Sequence, residues 1–199
     1  MSARTATVTR ATRETSIRVA LDLDGTGKTD VKTGIGFLDH LLDALGRHAR
    51  FDLTLACEGD LQVDDHHTAE DCALAIGEAL DRALGERRGV HRFGWALAPL
   101  DEALARAVVD LSGRPFSDVA LDLRREAIGE LSCENIPHVL RSLATAGRMT
   151  LHVDVLKGVN DHHRAEAAFK ATALALRQAV APSGFDDVPS TKGTLRGDR

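Results

Sequence analysis

A chain of 199 residues, 43% hydrophobic and 28% charged, can bury an ordinary core as one domain or as two small halves. Its net charge of −5, with both signs interspersed, leaves no basic stripe for nucleic acid and no cationic or long apolar segment for a membrane, so small-molecule chemistry is the better expectation. Cys57, Cys72 and Cys133 are odd in number, far apart and without a C-x-x-C pair, and they read as reduced core residues of a cytoplasmic protein.

Met1 to Arg13 is rich in Thr, Ala and Arg and superficially suits a transit peptide, but alternation from Thr5 reads as a strand. Ile17, Val19, Leu21 and Leu23 then alternate as a half-buried strand that ends at Asp24-Gly25-Thr26-Gly27. A short extended piece, Thr29 to Thr33, leads to Phe37, Leu38, Leu41, Leu42 and Leu45, whose spacing predicts a helix carrying His40 and His48. Phe51, Leu53 and Leu55 make the next strand, and Glu58-Gly59-Asp60 turns the chain. Asp64-Asp65-His66-His67-Thr68-Ala69-Glu70-Asp71 then opens an alanine-rich helix running to about Gly85. In the second half Leu104 to Leu111 and Phe116 to Leu123 read as strands, Ile136 to Ala146 as a helix and Met149 to Leu156 as a strand. Asp161-His162-His163-Arg164-Ala165-Glu166 opens the last helix, to about Val180.

The two halves echo each other. Glu14 and Glu102 are 88 positions apart, as are Arg18 and Arg106, Asp22 and Asp110, and Gly25 and Gly113. His66 to His162, His67 to His163 and Glu70 to Glu166 are each 96 apart, and His40 to His138 is 98. A repeat this long predicts an α+β fold of duplicated half-domains, residues 1–90 and 91–199, packed as one compact unit. Each half is expected to be a mostly antiparallel sheet with helices on one face, the two related by a pseudo-twofold.

The repeat collects His40, His66, His67, His138, His162 and His163 with Glu70 and Glu166. These eight donors would serve two divalent metals with four protein ligands each. Adjacent helical residues point about 100° apart, so each histidine pair must split between ions. Helix geometry leaves the partner of Glu70 open, because neighbours at i,i+3 and i,i+4 both share its face. His91 and His152 fall outside the scheme and read as loop and strand histidines. A dinuclear hydrolase would want more bridging carboxylates, and a metal-storage protein would not need phosphate-type cations.

Gly34-Ile35-Gly36-Phe37-Leu38-Asp39-His40, Asp65-His66-His67-Thr68-Ala69-Glu70-Asp71, Asp110-Leu111-Ser112-Gly113-Arg114-Pro115, Asn160-Asp161-His162-His163-Arg164-Ala165-Glu166 and Pro189-Ser190-Thr191-Lys192-Gly193 together resemble the imidazoleglycerol-phosphate dehydratase family of histidine biosynthesis. The resemblance spans nearly the whole chain, with departures at Leu41 and Ala44. It implies two manganese ions per active site and a 24-subunit shell with sites between subunits. It implies one ion on His40, His67, Glu70 and His162, and the pseudo-twofold then gives the other His66, His138, His163 and Glu166. It also implies Glu14 as an acid/base residue beside the substrate, with His48, Arg92, Arg114, Lys170, Ser190, Thr191 and Lys192 around its phosphate. The last three lie in a C-terminal substrate-binding tail of the second half. The reaction removes hydroxide from the carbon bearing the imidazole ring and a proton from its neighbour, which no carbonyl acidifies. Metal ions on both ring nitrogens would stabilise an imidazolate whose electrons can expel the hydroxyl, and loss of the neighbouring proton then gives an enol that becomes the ketone.

Overall fold

The structure, a computed structural model, describes residues 3–195; the outermost positions of the expected half-repeats, 1–2 and 196–199, lie outside the described residues. The first half runs β1 (Thr5–Ala11), β2 (Thr15–Asp22), β3 (Thr29–Lys32), α1 (Gly36–Ala49), β4 (Asp52–Gly59) and α2 (His66–Leu84). The second half runs β5 (Phe93–Leu100), β6 (Ala103–Asp110), β7 (Phe116–Ala120), β8 (Ala127–Ile128), β9 (Leu131–Ser132), α3 (Asn135–Ala146), β10 (Thr150–Lys157) and α4 (Asp161–Val180). The two large sheets have the same topology, β1-β2-β4-β3 and β5-β6-β10-β7. Each is antiparallel except for one edge strand, β3 beside β4 and β7 beside β10. The chain is thus α+β, two four-stranded sheets each packed with helices.

Alternation makes these strands. In β2, Ile17, Val19 and Leu21 are at most 3% exposed while Ser16 and Arg18 face out, and β6 repeats this with Ala105, Ala107 and Val109 inward. Helices α1 and α2 cover the inner face of the first sheet, α3 and α4 that of the second, and the pairs α1–α4 and α2–α3 pack across the join. A single hydrophobic core runs through both halves. The α4 helix is buried on most sides, and its alanines at 165, 167, 168, 171, 173, 175 and 179 are fully covered. Small residues are needed there because backbones come close. A Cβ at Gly94 of β5 would lie 1.9 Å from the Ala175 carbonyl oxygen of α4, and one at Gly77 of α2 would lie 2.6 Å from that of Leu143 in α3.

Strand β5 and the small β8–β9 hairpin are additions to the sequence expectation. In β5 the inward residues are Gly94, Ala96 and Ala98, while Phe93, Trp95 and Leu97 face outward at 49%, 62% and 55% exposure. The usual sense of the alternation is therefore inverted. The three cysteines are free, Cys72 and Cys133 buried and Cys57 half-buried. No helix among the described residues is long and apolar enough to cross a membrane.

Candidate metal centre

Every imidazole of the repeat sits in the first two turns of its helix: His40 on α1, His66 and His67 on α2, His138 on α3, His162 and His163 on α4. The helix pairing across the halves brings four of them together in two pairs, each with a carboxylate, to make two trios. In the first trio the Glu166 Oε2 lies 2.8 Å from His40 Nε2 and 3.2 Å from His162 Nε2. Phe37 packs against both rings, with centroid separations of 5.9 and 4.9 Å. In the second, Glu70 Oε1 is 3.2 Å from His138 Nε2 and Glu70 Oε2 is 3.8 Å from His66 Nε2, and the two imidazoles stack at 5.0 Å. The donor atoms of each trio lie within 4.8 Å of one another.

Within the single chain the carboxylates lie nearer other histidines than the ion sets implied by the resemblance. Glu70, expected with His40 and His162, lies with His66 and His138; Glu166, expected with His66, His138 and His163, lies with His40 and His162. The cause is local. His66 and Glu70, like His162 and Glu166, are four residues apart, about 40° around a helix, whereas the three-residue pairs His67–Glu70 and His163–Glu166 diverge by about 60°.

His67 and His163 belong to neither trio. His67 Nδ1 donates to Asp60 Oδ2 at 3.0 Å, and its Nε2 lies 3.8 Å from Glu14 Oε1. The Asp60 contact raises the His67 pKa. His163 Nδ1 donates to Glu102 Oε2 at 2.7 Å. That bond, followed by those from the Asn160 and Val159 backbone N–H groups, holds the Glu102 carboxyl down at about 2. Burial opposes ionisation of Glu166, yet hydrogen bonds from Lys170 and His40 outweigh it and hold this carboxyl at about 2 as well. Lys170 Nζ is 2.6 Å from Glu166 Oε1. Half-buried His48 has its pKa lowered first by desolvation and then by the Lys170 charge.

Two aspartates at equivalent positions, 65 and 161, fasten loops to these helix starts. Asp65 accepts from the Ser132 backbone N–H at 2.6 Å and hydroxyl at 2.9 Å, and Asp161 accepts from the Arg124 and Arg125 N–H groups at 2.9 and 2.8 Å. Asn135 holds the second trio more directly, its side-chain oxygen 2.9 Å from His66 Nδ1. Sequence reasoning singled out none of Asp60, Glu102 or Asn135 as site residues. For Glu102 a signal existed, its equivalence to Glu14.

The residues expected around a phosphate divide. Lys170 lies against the first trio and His48 is near enough to feel the charges of Lys170 and Glu166, but Arg92 is not there. Its guanidinium pairs with Asp110 at 2.7 and 3.1 Å and donates to the Pro189 carbonyl at 2.8 Å, holding the segment that carries Ser190, Thr191 and Lys192. The Arg92 backbone N–H donates to the carbonyl of Ala179, near the far end of α4. Seventeen residues separate Ala179 from His162, which places Arg92 roughly 25 Å along the helix from the first trio. Arg114 is exposed in the loop before β7. His91 and His152 are exposed, in a loop and on β10.

Two imidazole nitrogens and a carboxylate oxygen gathered in each trio suit a divalent ion of intermediate hardness. His138 Nε2 is buried and, although Glu70 Oε1 lies 3.2 Å away, it makes no well-aligned hydrogen bond among the described residues, which suits a nitrogen aimed at an ion shared with that carboxylate.

A family model of imidazoleglycerol-phosphate dehydratase matches residues 33–176. The chain belongs to that family. An imidazoleglycerol-phosphate dehydratase from Phytophthora nicotianae is 61% identical over 192 residues, covering 96% of this chain and 42% of that protein. One from Phaffia rhodozyma is 59% identical over 197 residues, 96% of each. The crystal structure of imidazoleglycerol-phosphate dehydratase from Staphylococcus aureus subsp. aureus N315 matches with a TM-score of 0.81 at 32% identity, covering 89% of this chain and 99% of that one. Membership makes the chain an enzyme, a dehydratase of the lyase class, and the fold of the solved relative agrees with the duplicated half-domains described above.

Proposed function

We propose that the chain converts imidazole glycerol phosphate to imidazole acetol phosphate and water, in histidine biosynthesis, with two divalent ions per active site, Mn2+ by preference. The observation that carries this reading is the pair of His–His–Glu trios at helix N-termini in a chain of this family. His40, His162 and Glu166 would hold one ion and His66, Glu70 and His138 the other. His67 and His163, turned to Asp60 and Glu102, are then free to complete the trios of neighbouring copies, so that sites form between subunits of a 24-subunit shell. Two further features support self-association. Arg92 and the Ser190–Lys192 segment are too far from their own chain's first trio to meet a substrate there. The outer face of the second sheet exposes Phe93, Trp95, Leu97, Val108 and Phe116 side by side. A reducing cytoplasm suits the three free cysteines.

Held by the two trios, divalent ions would supply Lewis acidity toward the imidazole ring, easing loss of its N–H proton so that the ring's electrons can expel the hydroxyl. The chain's own groups do the rest. Glu14 is half-exposed, and among the described residues its carboxylate accepts no hydrogen bond, while lying 3.8 Å from the Nε2 of His67. An unencumbered carboxylate beside a ligating nitrogen can take the proton from the carbon next to the reacting one and return it to the product. His48, Lys170, Arg92, Arg114, Ser190, Thr191 and Lys192 supply hydrogen-bond donors and positive charge for the phosphate dianion, which orients the substrate and keeps it bound through the proton transfers.

Incubating the Mn2+-loaded protein with imidazole glycerol phosphate tests the reading. The ketone product should form, and a chelator should abolish it. Release of inorganic phosphate instead would identify a hydrolase, and metal uptake with neither product would leave only storage.

A further inference from the structure

We infer that Glu102 and Asp60 are positioning residues that fix the ring tautomers of His163 and His67, so that each ring offers its Nε2 lone pair to a metal ion. The inference rests on the metal reading above and specifies how the two histidines outside the trios become ligands. A neutral imidazole has one N–H and one lone pair, and a nitrogen facing an ionised carboxylate must carry the hydrogen because that partner can only accept. His163 Nδ1 faces Glu102 Oε2 at 2.7 Å and His67 Nδ1 faces Asp60 Oδ2 at 3.0 Å. Both rings are thereby left with a lone pair at Nε2, and their rotation is pinned.

The same contact is built from non-equivalent positions. The repeat mate of Glu102 is Glu14, 88 residues earlier, not Asp60. Glu102 sits in the turn between β5 and β6, whereas Asp60 follows β4 and ties back through its own N–H to the Glu14 carbonyl at 3.0 Å. Glu102 is also clamped from its other side. Its Oε1 accepts from the backbone N–H groups of Val159 at 3.1 Å and Asn160 at 2.9 Å.

That clamp makes a decisive variant. In Glu102→Gln the amide oxygen must stay on the two backbone donors, which turns the NH2 group toward His163. Nδ1 must then accept, and the hydrogen moves to Nε2, where it blocks ligation. A role confined to holding the 158–160 turn would predict no such inversion.

Magic-angle-spinning NMR of the full chain labelled with 15N-histidine, before metal is added, reads the tautomer, with His163 assigned by its absence in His163→Gln. The expected result is Nδ1–H in the unmodified chain and Nε2–H in Glu102→Gln. Chelator competition should then show Mn2+ held about 10–100-fold less tightly at one of the two sites per chain. Should Glu102→Gln not assemble, Asp60→Ala provides the same test at His67, where the carboxylate serves no backbone group; mixed tautomers and weakened Mn2+ binding are expected. An unchanged tautomer in these variants, or unchanged Mn2+ affinity where His163→Gln or His67→Gln lowers it, overturns the inference. If the two histidine variants themselves bind Mn2+ like the unmodified chain, it is the metal reading that fails.

Discussion

The two hairpins that carry Glu14 and Glu102 occupy the same place in the two halves, yet their carboxylates are used differently. Glu102, between β5 and β6, holds His163 and two backbone N–H groups, so every part of it is engaged. Glu14, between β1 and β2, is free to reach past His67, because Asp60 has taken over the contact to that ring. A duplicated fold begins with two copies of each side chain. On the proposed reading, moving one supporting contact to a new position leaves the other copy for proton transfer. The outer faces of the sheets differ in the same way. Across the rows of the first sheet lie Thr7, Ala20, Thr54 and Asp30, where the second sheet has Trp95, Val108, His152 and Asp118.

The largest effect should come from the trios, where the halves are alike. His66→Ala, Glu70→Ala or His138→Ala should each remove one Mn2+ per chain, and His40→Ala, His162→Ala or Glu166→Ala the other. Activity should fall by well over about 100-fold, the upper range for losing an outer-shell contact alone. Counting bound Mn2+ by electron paramagnetic resonance checks the grouping, and it is wrong if Glu70→Ala and His40→Ala empty the same site.

Where the halves differ, the effects should differ in kind. Glu14→Gln should lower kcat by roughly 10²–10⁴-fold, the range for a lost acid/base group, and leave Mn2+ binding intact. Steady-state kinetics beside a metal titration separates it from Glu102→Gln, whose loss should follow metal occupancy and recover with excess Mn2+. If Glu14→Gln also recovers, the division of labour between the hairpins is wrong.

Much of this arrangement is legible in the chain, and the failures have physical causes. The repeat spacing of 88 and 96 residues announces two similar halves, and the histidine pairs followed by alanine-rich stretches announce helix starts. Strand β5 escapes because α4 lies against its backbone and forces Gly94, Ala96 and Ala98 inward, so its large residues mark the wrong face. The carboxylate grouping within the single chain is only weakly legible, since on a helix i,i+4 pairs are just slightly closer in angle than i,i+3 pairs. Asp60 looks like any turn aspartate, because nothing in its neighbourhood in sequence reveals that the turn ends beneath His67. Arg92 is visible as a cation, but its engagement with Asp110 and Pro189 is a product of the fold.

Smaller effects sharpen the picture of the substrate's other end. Lys192→Ala should weaken binding of a phosphate-bearing analogue by roughly 1.5–3 kcal/mol, as expected for a charge-assisted hydrogen bond. Arg92→Ala should do so too, and should additionally expose the 189–193 segment to protease, because it removes the donor to Pro189. Equal affinity for the analogue in both variants and the unmodified chain would take these residues out of the site.

The smallest expected effect is on acid stability. The folded Glu166 carboxyl lies at about 2, below the ordinary value of 4.5, so its contribution is fully present above pH 4.5 and is lost as pH falls toward 2. In metal-free protein, Glu166→Gln should flatten the fall in stability across that window, by on the order of 1 kcal/mol. Urea unfolding at several pH values measures it, and an unchanged slope would mean that Lys170 and His40 do not hold the carboxylate as described.

The central claim is that each metal ion draws its trio from one chain and its remaining histidine from another. Mixing two inactive variants tests this most directly: Glu166→Gln, which damages a trio, and His67→Ala, which damages only the donated ligand. Combined without metal, then assembled with Mn2+ and verified as mixed by native mass spectrometry, they should regain dehydration of imidazole glycerol phosphate, because an intact trio from one chain can meet an intact His67 from the other. Mixed assemblies that contain both chains, bind Mn2+ and remain inactive would contradict the account.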